Sequence, residues 1–347
     1  MLAKRIWEQT GKRVSTGWLN GMVLEIASRC KSAVEMSTEL RPKWKGFLCA
    51  DEKMFSVRGN QQWFYVGVDS SGDIVHCKAV EELSVTEARM FLMEVVEEAG
   101  YTCHGVVTDL DMSLRRAVKV VFPGKPHQFC LKHAFSSIEN RIGYSPSAMH
   151  QRWNKQILTR EFEKLRDKKG IWVEKARRGF FMSYEEYKRT SDRHIALKLL
   201  RDELHGVVFA KSEEEARARL RRLSRSKRHQ LFEKEKKSAI DFLKSNWSNL
   251  MMYHHVPGLP RTNNFAESVN KQLERRFKTM ESFQSRQTAV WYINLLVSYL
   301  RQKPYTDCRG NRRHLNGKSR LEAAGAHLVS KDWLKNSLKS PTKSNRN

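Results

Sequence analysis

Between residues 46 and 80 apolar and polar positions follow the short period of strands. Residues 47–57 are apolar-rich and run into the turn signal Arg58, Gly59, Asn60. A second run, residues 63–69, is closed by Ser70, Ser71, Gly72 and Asp73, and a third covers residues 74–80. This pattern predicts a three-stranded antiparallel meander. From residue 85 the spacing becomes helical, with Ala88, Phe91, Leu92, Val95, Val96 and Ala99 on one face and Gly100 as a stop. A short apolar strand of Gly105, Val106, Val107 and Thr108 then ends at Asp109. Residues 113–121 read as a helix broken by Phe122, Pro123 and Gly124, and residues 127–130 as a fifth strand leading into a helix over 131–140. The order β-β-β-α-β-α-β-α predicts an α/β fold with mixed strand directions.

Beyond residue 140 the strand pattern stops. Residues 141–260 are charged and helical, with a capping box at Ser212 and Glu215 and apolar spacing at Ala216, Leu220 and Leu223, then at Ile240, Leu243, Trp247 and Leu250. They read as an inserted helical domain closed by Pro257, Gly258, Leu259 and Pro260. A helix from Asn264 carries Ala266, Val269, Leu273 and Phe277. Another, over about 283–301, carries Val290, Ile293, Val297 and Leu300. Residues 331–347 are basic and Ser-rich, and read as a disordered tail. Residues 1–44 read as a helical segment in which Ser15 or Thr16 caps a helix bearing Trp18 and Val23, either a truncated helix-turn-helix or an ordinary helical hairpin.

Charge changes this picture. The 347 residues carry 64 Lys and Arg against 38 Asp and Glu, a net +26. Residues 1–140 are close to neutral at +1, whereas 141–260 carry +13 and 261–347 carry +12. So local an excess points to a polyanion, most simply nucleic acid phosphate. Seven cations, Arg217, Arg219, Arg221, Arg222, Arg225, Lys227 and Arg228, fall within twelve residues, and Arg309, Arg312, Arg313, Lys318 and Arg320 form a second group. Trp153, Trp172 and Trp247 read as helical core. The longest apolar stretch, residues 289–300, is too short to span a bilayer. Six cysteines without a Cys-x-x-Cys pair read as reduced thiols, and no apolar signal segment opens the chain, so an intracellular protein is expected.

The candidate chemistry is carboxylate chemistry. Asp51 lies within the first strand, where an unpaired charge is costly to bury, and Asp109 ends the fourth, where α/β sheets place ligand groups. If these strands are neighbours, the two acids face one another across a gap that suits Mg²⁺ or Mn²⁺. Asp69, Asp73 and Asp111 offer competing choices. Glu267 is a third candidate, although its spacing from Asn264 is also that of a capping box, the reading that spacing alone favours. Cys130 and His133, three apart on a helix, read as structural residues or as half of a metal site.

In order, Asp51, then Val106, Val107, Thr108 and Asp109, then Cys130 with His133, then Thr262, Asn263 and Asn264 with Glu267, resemble a DDE transposase of the insertion-sequence and Mutator-like type. The resemblance covers residues 45–140 and 255–330. It implies an RNase H-like mixed sheet flanked by helices, interrupted by an all-α insertion before the last acid, so that residues 45–140 and 261–330 form one core. It makes Asp51, Asp109 and Glu267 the ligands of two Mg²⁺ or Mn²⁺ ions, and Cys130, His133, Asn263 and Asn264 motif residues. The implied activity is strand cleavage and transfer on double-stranded DNA by a homodimer. An RNase H-like nuclease or resolvase, or a silent DNA-binding descendant, would keep much of the same sequence.

Overall fold

The computed structural model describes residues 2–167 and 172–339. Three helices, α1 (Leu2–Thr10), α2 (Thr16–Ser28) and α3 (Ala33–Leu40), precede strands β1 (Phe47–Val57), β2 (Asn60–Asp69) and β3 (Ile74–Val80). Then come α4 (Val85–Glu97), β4 (Gly105–Thr108), α5 (Met112–Val121) and β5 (His127–Phe129). Six helices follow: α6 (Leu131–Arg141), α7 (Tyr144–Asp167), α8 (Trp172–Val208), α9 (Glu213–Arg225), α10 (Glu233–Ser245) and α11 (Trp247–Met251). The chain closes with α12 (Asn264–Met280), α13 (Arg286–Gln302), α14 (Arg320–Ala323) and α15 (Trp333–Ser337).

The sheet order is β3-β2-β1-β4-β5, with β1–β2 and β2–β3 antiparallel and β1–β4 parallel. This is a mixed α/β sheet consistent with an RNase H-like fold. Residues alternate between its faces. Leu48, Ala50, Tyr65 and Val106 face a core completed by Phe91, Leu92 and Val95 of α4 and Leu114, Ala117 and Val118 of α5. On the other face Phe55 and Phe64 meet Phe277 of α12 and Phe283, with ring centroids 5.5 to 6.2 Å apart. Such aromatic pairs contribute about 0.5–1.5 kcal/mol each beyond burial and fix where α12 lies.

Gly46 shows why β1 starts where it does. Its φ is +84°, and a Cβ there would sit 2.2 Å from the His104 ring. Only glycine allows this close approach as the chain enters the sheet.

Two compact units emerge, residues 1–128 with 256–347, and residues 129–255. The helical unit starts twelve residues earlier than its sequence boundary at 141 because α6 packs on α7, α8 and α10. Its interior is built from Leu197, Leu200 and Leu204 of α8, Ala216, Leu220 and Leu223 of α9, and Ile240 and Leu243 of α10. Trp153 departs from the core expectation, being 59% exposed on α7. Trp247 is half-buried and donates to Glu213 at 2.7 Å. Trp172 begins α8, but its side chain lies outside the described residues.

The N-terminal helices belong to the sheet unit: Ser15 caps α2, α2 and α3 pack on α13, and α3 also packs on β3. The chain beyond 331 is not a free tail through residue 339. Trp333 packs edge-on against Tyr299, Leu338 bridges Cys30 and the Lys339 N–H donates to Arg29. Apolar anchors among the lysines, invisible in composition, hold it. The remainder of the expected tail, residues 340–347, lies outside the described residues. No described helix is long and apolar enough to cross a membrane.

Candidate functional site

β1 is longer than its neighbour. Pairing with β4 runs only from Phe47↔Gly105 to Cys49↔Val107, and β4 ends at Thr108. From Ala50 onward no described strand lies on that side of β1, which is met there by the isolated bridge of Phe283 to Val57. Asp51 and Glu52 leave the strand on opposite faces, Asp51 toward α12 and Glu52 toward α5. Because β4 has ended, both can bend toward the first residue beyond it, Asp109. One carboxylate oxygen from each of Asp51, Glu52 and Asp109 lies within 4.8 Å of the others.

The surrounding contacts hold this cluster. Asp51 is 9% exposed and its Oδ2 accepts from Asn270 Nδ2 at 2.7 Å. Asp109 Oδ1 accepts the Asp111 N–H at 2.8 Å, while Asp111 caps α5 through the N–H groups of Ser113 and Leu114. Burial, followed by the charges of Asp109, Asp51 and Asp111, pushes the Glu52 carboxyl up to about 9. Acids this close resist ionising together, a repulsion that a divalent cation would relieve.

The competing aspartates are occupied elsewhere. Asp69 is fully buried and accepts from the N–H groups of Lys45, Gly46 and Ser71 and from the Tyr101 hydroxyl. Asp73, also buried, is paired to Arg301. Asp111 is a helix cap.

The capping-box expectation at α12 does not hold. The helix begins after Asn263 and forms no side-chain cap bond. Asn263 instead reaches across to β1 and donates to the Ala50 carbonyl at 2.8 Å. Asn263, Glu267 and Asn270, spaced i, i+4, i+7, share one face of α12, and two of them bond β1 at Ala50 and Asp51. Glu267 lies on the same helix face, its side chain 17% exposed and 4.0 Å from Lys271, but it is not one of the three acids whose oxygens converge. Asn264 is exposed, on another face. In the helical unit, Cys130 is buried at the start of α6 and His133 stands one turn on.

Glu52 and Asn270 were missed in the sequence. For Glu52 the available signal was the unequal length of the two strand patterns. For Asn270 it was a seven-residue spacing from Asn263.

Behind Asp109 runs a short relay. Thr108 has one hydroxyl proton and donates it to the Asp109 carbonyl at 2.9 Å, so it accepts from His127 Nε2 at 2.9 Å. Burial, with Arg115 and Lys119 adding to it, lowers His127 to about 4 from an ordinary 6.5. The folded chain thus excludes a proton that the unfolded chain binds below 6.5. The gap contributes about 3 kcal/mol of stability above that pH, lost progressively as pH falls toward 4. Thermal melts from pH 7 to 4 should show a shallower loss of Tm in His127→Gln than in wild type. Parallel curves would exclude this role.

The cations divide into two sets. Arg217 pairs with Glu213, Arg219 with Glu215 and Arg228 with Glu203. Arg221, Arg222, Arg225 and Lys227 are exposed, with no ion pair among the described residues, as are Arg313 and Lys318. Arg312 lies over two aromatic rings.

In comparisons with known proteins, no family model matches the chain, and no curated protein does.

Proposed function

We propose that the protein is a metal-dependent phosphoryl transferase acting on double-stranded DNA, a DDE transposase that cuts and joins strands at the ends of a mobile element. The observation that carries this reading is the convergence of Asp51, Glu52 and Asp109 at the open end of β4, in a chain of net charge +26. The donor set fits Mg²⁺ or Mn²⁺: carboxylate oxygens within 4.8 Å, beside Glu52 Oε2 and Asn270 Oδ1, both buried without a hydrogen-bond partner. Asp51 and Asp109, joined by Glu267 from the docked face of α12, would hold two ions.

Ions bound there supply activation of a water or DNA 3′-hydroxyl and stabilisation of the leaving oxygen. The chain's own work is placement. Asn270 orients Asp51, the Asp111 N–H orients Asp109, and the His127–Thr108 relay fixes the Asp109 backbone. No side-chain nucleophile is needed. Arg221, Arg222, Arg225, Lys227, Arg313 and Lys318 supply phosphate contacts. Holding two element ends together calls for a homodimer, and DNA as substrate for an intracellular location, the cytoplasm or nucleoid in a prokaryotic host.

The test is to incubate the protein with DNA bearing the sequences that flank its gene, with and without Mg²⁺ or Mn²⁺. Nicked or joined products should form only with metal. Metal-free protein should bind DNA, and with six or more phosphate contacts its affinity should fall by about 10³-fold or more between ~50 and ~200 mM salt. Absence of metal-dependent products, or salt-independent binding, would overturn the reading.

A further inference from the structure

A cavity of about 450 Å³, wholly within the sheet unit, opens between α12 and the chain that follows α13. Two rings line it, Phe265 in the first turn of α12 and Tyr305, and the Arg312 guanidinium lies 5.7 Å from the centroid of each. Around the helix, Phe265 and Ser268 lie on the side away from Asn263, Glu267 and Asn270. The cavity is therefore separate from the carboxylate cluster.

Its walls are built in advance. Arg320, buried, sits 5.4 Å from the Tyr305 ring, donates to the Gly72 carbonyl at 2.6 Å and reaches the Tyr305 hydroxyl at 3.3 Å. The loop carrying Arg312 is closed at its base by Tyr305 N–H to Lys318, Gly317 N–H to Tyr305, and the Asn316 amide, which accepts from and donates to the Cys308 backbone. Lys303, Arg312 and Arg320 face one carboxylate, Asp307, among the lining residues. Arg312 is exposed and forms no ion pair among the described residues, its contacts being the two rings.

Aromatic faces, a planar cation on a flexible stem and a net positive lining match one chemistry, a nucleotide. The rings offer a stacking surface that suits any base, and the guanidinium a bidentate partner for phosphate. The volume lies in the range of small-ligand pockets. A base paired inside a duplex cannot present its ring face to such a cavity, whereas an unstacked one can.

We propose that this cavity receives one unstacked nucleotide of bound DNA, its base against Phe265 and Tyr305 and its phosphate at Arg312 and Lys303. The entering base displaces Arg312 from the rings toward the phosphate. The proposal rests on the reading of the protein as one that acts on DNA.

Full-length protein is titrated with a labelled duplex carrying a single unpaired adenine, with the same duplex fully paired, and with free dAMP. The bulged duplex should bind about tenfold more tightly than the paired one, the gain expected of one base–aromatic stack. Phe265→Leu and Tyr305→Leu should each bring that ratio to about one. Because Tyr305 also packs on Arg320, a thermal melt accompanies its variant, and Phe265→Leu gives an independent reading. A ratio near one in the wild type, or a ratio that both variants leave intact, overturns the pocket while the DNA reading stands. Tight capture of dAMP with no preference between the duplexes overturns the DNA assignment in favour of a free nucleotide. Absence of binding to either duplex overturns the DNA reading itself, and the pocket with it.

Discussion

Asp51→Asn and Asp109→Asn should each lower metal-dependent strand cleavage by about 10³-fold or more, with the protein at least as stable as wild type. The first effect follows from removing a ligand whose ion supplies several kcal/mol of charge stabilisation in phosphoryl transfer. The second follows from the cluster itself. Asp51, Glu52 and Asp109 crowd within 4.8 Å, and burial together with the charges of its neighbours pushes Glu52 up to about 9, so an amide in place of one acid relieves part of that repulsion in the metal-free chain. Asn at position 51 can still accept from Asn270. Loss of activity caused by misfolding would lower Tm; loss caused by missing metal ligands would not. Glu267→Gln should lower cleavage as the two aspartate variants do. Glu52→Gln, which keeps the shape of a protonated carboxyl, should cost only about 10–100-fold, as for groups that support ligands. Variants of Asp51 and Asp109 that cleave at the wild-type rate would remove the basis for the site.

The largest stability effect is expected at Asp73. Arg301 of α13 and Asp73 are both fully buried and joined through two bonds, Nε to Oδ1 at 2.9 Å and Nη2 to Oδ2 at 2.7 Å. Arg301 also donates to the Ala33 carbonyl and the Ser37 hydroxyl at 2.6 and 3.0 Å, and Asp73 accepts from Trp44 Nε1 at 3.0 Å. One ion pair thus ties α3, the β2–β3 turn and α13 together. Asp73→Asn strands a buried guanidinium without its counter-charge, which costs about 3–5 kcal/mol, a large share of a domain's total stability. The urea midpoint should fall accordingly. Adding Arg301→Met to that variant should recover part of the loss, because the stranded charge goes with it. A midpoint unchanged in Asp73→Asn would refute the assignment.

These two carboxylates show what the sequence made legible. Asp51 and Asp73 look alike on a strand and at its turn, and position alone left Asp69, Asp73 and Asp111 as rivals to the cluster. Period gave the strands and most of the helices, because alternation and helical spacing are local properties. Asp73's partner is 228 residues away, and the Asn270 that holds Asp51 is 219 away. Such pairings are set by how helices dock, which a linear pattern does not record. The capping-box expectation at Asn264 and Glu267 failed for the same reason. Asn264 already lies inside α12, and Asn263, which precedes the helix, donates its side-chain amide to the Ala50 carbonyl across the sheet. Residues 331–339 were misjudged because Trp333 and Leu338 are scattered apolar positions among lysines, yet each finds a partner in the sheet unit.

The length of β1 has a consequence for biosynthesis. Beyond Cys49 its free edge is covered by the Asn263 side chain at Ala50 and by Phe283, which exchanges backbone bonds with Ser56 and Arg58. Ser56 and the neighbouring Ser282 are 226 residues apart. At about 5–20 residues per second, a ribosome leaves that edge bare for roughly 10–45 s while the helical unit is made. A bare strand edge is a template for pairing with other chains. The helix that presents Glu267 is thus also the late-arriving guard of the sheet, and a chain stopped before it would aggregate where the full-length protein folds.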